Sequence, residues 1–152
     1  MATYLRNRLH WLAITLMAAF SLAACSSLPI GEYSLQAYTN ATTLKAETLA
    51  LVSKGTESYS GNAVAVEALN VKIDTAYEFS AGTANNQLSA QQWNIMRDPN
   101  RDLYGGFIRE WRSRGHLPVY LVGEWKAQIA ESFDYIICLE ANKQASTTCS
   151  TS

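Results

Sequence analysis

The chain has 152 residues, 48% of them hydrophobic, with 12 basic and 13 acidic side chains and a formal net charge of −1. That length suits one domain with a core large enough to hold without disulfide staples. The near balance of charge lacks the basic footprint of a nucleic-acid-binding protein, so nucleic acid is not an expected partner.

Arg6 and Arg8 precede an uncharged run from Trp11 to Ala24 (WLAITLMAAFSLAA) that is softened only by Thr15 and Ser21. A bilayer-spanning helix needs about 20 apolar residues, so this run is too short to remain as an anchor and reads as the apolar region of a cleaved secretory signal. Its small residues lead directly into a cysteine. Leu22, Ala23, Ala24 and Cys25 together resemble the lipobox of bacterial lipoproteins, and the resemblance covers residues 1–27. It implies cleavage before Cys25, a thioether-linked diacylglyceryl group on Cys25 and usually a third acyl chain, such as palmitate, on the new amino terminus. Two or more chains anchor durably, at roughly 0.8 kcal/mol per buried methylene. Ser26 stands where many Gram-negative lipoproteins retained in the inner membrane carry Asp, so the resemblance also implies an outer-membrane location facing the periplasm. Loss of residues 1–24 takes Arg6 and Arg8 with it, which leaves 10 basic residues against 13 acidic ones and a net charge of −3.

Residues 25–33 have the Pro, Gly and Ser content of a tether between a lipid anchor and a folded body. A helical domain is expected over 34–143, followed by an uncharged tail over 144–152. Within the domain the apolar spacing is helical. Tyr38, Ala41, Leu44, Thr48, Leu51 and Val52 recur at steps of three and four, and Gly55 ends that helix. A second helix, over about 62–80, carries Val66, Leu69, Ile73, Ala76 and Tyr77, with Val64, Val71 and Phe79 broadening the stripe. The charge-free stretch AGTANNQ breaks it.

Ser89 and Gln92 fit a capping box, and Leu88 with Trp93 fits a hydrophobic staple. They predict a short helix from Ser89 that ends by Asp98, because Pro99 disfavours helical geometry in the residue before it. Another short helix is expected over about 102–114, with Leu103, Phe107, Ile108 and Trp111 on one side and a stop at Gly115. Pro118 suits the first turn of a last helix, on which Leu121, Val122, Trp125, Ile129, Phe133, Ile136, Ile137 and Glu140 follow at helical intervals. Three longer helices and two shorter ones predict an all-α antiparallel bundle.

Enzyme motifs with a clear mechanism are missing from the chain: it has no Gly-rich phosphate loop, His-Glu-x-x-His, Cys-x-x-Cys or G-x-S-x-G. His116, in the Gly-His-Leu-Pro connection, reads as a solvated loop residue rather than a general base. Glu131 and Asp134, three apart on the last helix, read as a solvated face rather than a metal or acid/base pair. No catalytic residue, cofactor or metal is expected. The basic residues Arg97, Arg101, Arg109, Arg112 and Arg114, interleaved with Trp93, Phe107 and Trp111, suit a surface for anionic headgroups or an acidic partner. Arg101, Arg109, Trp111, Arg112 and Arg114 are its candidate residues. Against that reading, Asp98, Asp102 and Glu110 dilute the charge, and Glu110 can pair with Arg114.

Cys138 and Cys149 form an even pair in an oxidising compartment. A disulfide between them and a buried thiol plus an exposed one are equally consistent with the spacing. The domain resembles small bacterial lipoproteins of unknown function, and the likeness carries no activity. Two roles remain at this stage: a lipid-anchored protein docking another envelope component, or an envelope enzyme or enzyme inhibitor whose site escapes motif reading.

Overall fold

A computed structural model describes residues 31–143 and Cys149. The signal segment 1–24, Cys25, most of the tether and the tail other than Cys149 lie outside the described residues. Those residues form five helices and no strand: α1 (Leu35–Val52), α2 (Tyr59–Gly82), α3 (Gln87–Arg97), α4 (Tyr104–Arg114) and α5 (Val119–Asn142). The fold is therefore all-α, with three long helices and two short ones, as the periodicity predicts.

Local chemistry sets the helix ends. Ser34 and Ser58 cap α1 and α2 by accepting from the backbone N–H of Ala37 and Gly61, each at 3.3 Å. Asn85 adopts a left-handed conformation with φ 57° between α2 and α3. The capping box does not form: α3 starts two residues before Ser89, whose side chain lies buried inside the helix. Asn86 starts the helix instead, and its amide reaches back to the Ser80 carbonyl at 3.2 Å rather than capping α3. Asp98 is extended ahead of Pro99, as the steric clash with the proline ring demands. Gly115, with φ 77°, ends α4 while its N–H closes on the Trp111 carbonyl.

Cross-helix contacts fix the topology. Lys45 meets Asp134 and Ser53 meets Lys126, so α1 and α5 run antiparallel. Asp74 pairs with Arg97 while Ser80 bonds Asn86, so α3 runs against the C-terminal half of α2. Asn70 meets Tyr104 and Tyr59 meets Arg112, so α4 runs against the N-terminal half. α3 and α4 thus form one column, interrupted over residues 98–103, and the molecule is a four-column up-and-down bundle. Gly105 and Gly106 make the interruption compact. A Cβ on Gly105 would collide with the Arg97 carbonyl, and one on Gly106 with the Arg101 carbonyl.

The core seam is narrow. Ala37, Ala41, Leu44, Thr48 and Leu51 on α1, and Asn62, Val66, Leu69, Ile73, Ala76 and Ser80 on α2, are buried at alternating steps of four and three. That spacing is the heptad pattern of knobs-into-holes packing. Val64, Val71 and Phe79, expected to widen the stripe, are exposed at 86%, 58% and 36%. With neighbours along one side only, α2 leaves its outer face to solvent. Trp93 packs edge-on against Phe133 and Phe107 against Trp125, joining the interrupted column to α5.

At one pole, beside the 83–86 turn, the bundle holds a buried polar cluster. Lys143 donates to Glu140 Oε2 and Asn86 Oδ1, each at 2.6 Å, and both charged side chains are almost fully enclosed. Gly31 packs against Ala84 and Asn85 at the same pole. Cys138 on α5 is joined to Cys149 by a disulfide.

Candidate functional site

The interruption between α3 and α4 opens a groove of about 330 Å³ against α2. Its floor is apolar, from Ile73 on α2 and Ile108 on α4, and Pro99 forms part of its rim. Its charged lining comes from Asp74, Arg97, Arg109 and Arg112.

These groups are not equivalent. Arg97 is clamped: its Nη1 donates to Asp74 at 2.8 Å, its Nε to Asn94 at 3.3 Å, and the guanidinium lies 3.7 Å from the centre of the Tyr77 ring. Arg112 donates from Nε to the Tyr59 hydroxyl at 2.8 Å and sits 5.3 Å from that ring's centre. Arg109 is exposed and makes no ion pair among the described residues, and Arg112 has no carboxylate partner among them either. Tyr104 is buried between α4 and α2 and donates to Asn70 at 2.7 Å. Burial pushes its hydroxyl pKa up, and Tyr59, Asp74 and Glu67 nearby push it further in the same direction.

Arg109 and Arg112 line the groove together from α4, and Arg97 lines it from α3. The other candidates do not join them. Arg101 turns to Asp98 at 3.8 Å, and Arg114 pairs with Glu110. Trp111 is not a surface residue: it is fully buried against Tyr59 and Phe107, and its indole N–H is used by the Glu57 carbonyl at 3.0 Å. Asn70 and Asp74 line the groove from α2 and Tyr77 lies under Arg97; in the sequence Tyr77 is placed on the core stripe and Asn70 and Asp74 are given no site role, although spacing by four and three puts all three on one helix face. His116 is exposed in the α4–α5 connection. Glu131 is exposed, and Asp134 points to Lys45 on α1. Among the described residues no group of three or more His, Cys, Asp and Glu side chains could hold a metal ion, and no helix is long and apolar enough to cross a membrane.

No family model, curated protein or solved structure matches the chain.

Proposed function

We propose that the protein is a bacterial lipoprotein, anchored through Cys25 in the outer membrane, whose helical bundle docks another component of the cell envelope through the arginine-lined groove. One observation carries the docking role. Arg109 and Arg112 stand on an exposed face of α4 without a carboxylate partner among the described residues, beside a wall whose Asp74 already serves Arg97. The fold pairs Lys45, Lys72, Arg97, Arg101, Arg114 and Lys143 internally, whereas Arg109 and Arg112, the latter held only through Nε by Tyr59, have no ion-pair partner among the described residues and keep N–H groups for another molecule. Arginine is suited to that task because its planar fork binds acidic groups in two parallel hydrogen bonds. The lipobox supports the location, since an acylated Cys25 needs no membrane-spanning helix.

A photoreactive residue at position 113 of the full chain, exposed on α4 one turn from Arg109, leaves both arginines in place and, expressed in a Gram-negative envelope, tests this reading. A discrete adduct is expected from position 113 and none from position 131, which is also exposed but lies on α5. Adducts of equal yield from both positions, or none from either, overturn docking through the groove.

A further inference from the structure

The groove keeps unused donors among the described residues, on Asn70, Arg109 and Arg112. Tyr104 gives its hydroxyl proton to Asn70 Oδ1, which leaves the Asn70 amide nitrogen with two N–H groups. Among the described residues, Arg112 uses Nε on Tyr59 and keeps the N–H groups of both Nη atoms, while Arg109 keeps its whole fork. The one carboxylate in the lining, Asp74, is neutralised by Arg97. Two positive charges without an ion-pair partner among the described residues therefore stand three residues apart on one helix, with Cβ atoms about 5–6 Å from each other, over a floor of Ile73 and Ile108.

From this we infer that the groove binds a phosphate monoester. The inference rests on the docking reading above and gives its ligand a chemistry. A phosphate monoester carries about −1.5 to −2 charges near neutral pH and offers only acceptor oxygens, which answers two free guanidinium groups and an amide N–H pair. A lone carboxylate or a phosphodiester brings one charge and leaves one arginine uncompensated. A volume of about 330 Å³ lies at the small end of ligand pockets, roughly 300–1,000 Å³. It takes the phosphate and the first part of its organic substituent, which lies against Ile108. The monoester is carried either by a soluble molecule or by a lipid such as phosphatidic acid, and the phosphate chemistry is common to both.

Calorimetric titration of the full chain in nonionic detergent with phenyl phosphate tests the inference. Saturable binding is expected. It should weaken about tenfold or more in Arg109→Gln and in Arg112→Gln, stay unchanged in Lys72→Gln, and be about tenfold weaker for benzoate than for phenyl phosphate. Far-ultraviolet circular dichroism equal to wild type in each variant shows that lost binding is not lost folding. Flotation of the Cys25→Ala chain with phosphatidylcholine vesicles separates the two sources. Capture only when phosphatidic acid is included points to the lipid, and phenyl phosphate binding without capture points to a soluble ester. Benzoate binding as tightly as phenyl phosphate, or binding that survives both arginine variants, overturns the inference. A position-113 adduct in a protein that does not bind phenyl phosphate leaves the docking reading standing and removes the phosphate.

Discussion

Glu140 and Lys143 form an ion pair enclosed at the pole of the bundle, where water cannot solvate either charge. Such a pair adds little over a well-packed apolar pair, yet removing one partner strands the other. Lys143→Met is therefore expected to cost about 3–5 kcal/mol. The double variant Lys143→Met with Glu140→Leu should recover most of that loss in urea melts, and equal losses for the single and double variants would contradict the pairing. Tyr104 makes a second case. Its hydroxyl ionises late because of burial, so the folded state holds a proton that the unfolded state releases once the pH passes the ordinary tyrosine value of 10.0. Above that pH the unfolded chain binds fewer protons, and stability falls as pH rises. Tyr104→Phe should remove part of this alkaline slope, measurable as a smaller loss of melting temperature above pH 10 than in wild type. At this scale Arg109 and Arg112 were legible, because i and i+3 on a helix are neighbours whatever surrounds them. The burial of Trp111 was not: its ring belongs to the core only because α4 lies against Tyr59 and Glu57, residues more than fifty positions earlier.

At the scale of the helix, apolar spacing predicted where each element runs but overstated the width of its buried face. In a four-column bundle each helix has two flanking neighbours, so steps of four and three are buried and the next apolar positions outward are not. Phe133→Ala, on the seam of α5 and packed against Trp93, should then cost about 3–5 kcal/mol. Val64→Ala, on the open face of α2, should cost under about 0.5 kcal/mol. Denaturant melts followed by far-ultraviolet circular dichroism measure both, and similar losses would refute the narrow seam. The failed capping box has the same origin. Ser89 and Gln92 satisfy a local rule, but Asn86 is anchored to α2 through the Ser80 carbonyl and to α5 through Lys143, and this fixes the start of α3 from outside. The α2 wall of the groove was hidden for a related reason, because the register of α3 and α4 against α2 depends on the 83–86 turn and the 98–103 interruption rather than on periodicity.

For the whole molecule, the anchoring proposal predicts that Cys25→Ala moves the protein from the membrane fraction to the soluble fraction, since no described helix can span a bilayer. The intact mass of the wild type should show a chain that starts at Cys25 and carries a diacylglyceryl group. An unmodified chain beginning elsewhere would remove the lipoprotein reading. The even number of columns has a mechanical consequence. Gly31 and Lys143 both sit beside the 83–86 turn, whereas the opposite pole is closed by the Leu117 N–H on Gly55 and the Tyr59 N–H on Gly115. On the proposed anchoring, a tether attached ahead of α1 and a load docked on α2 and α4 would pull α1 lengthwise past its neighbours. Every turn of the α1 seam would then resist at once, and force from the proposed anchor would be borne in shear instead of peeling the bundle open one turn at a time.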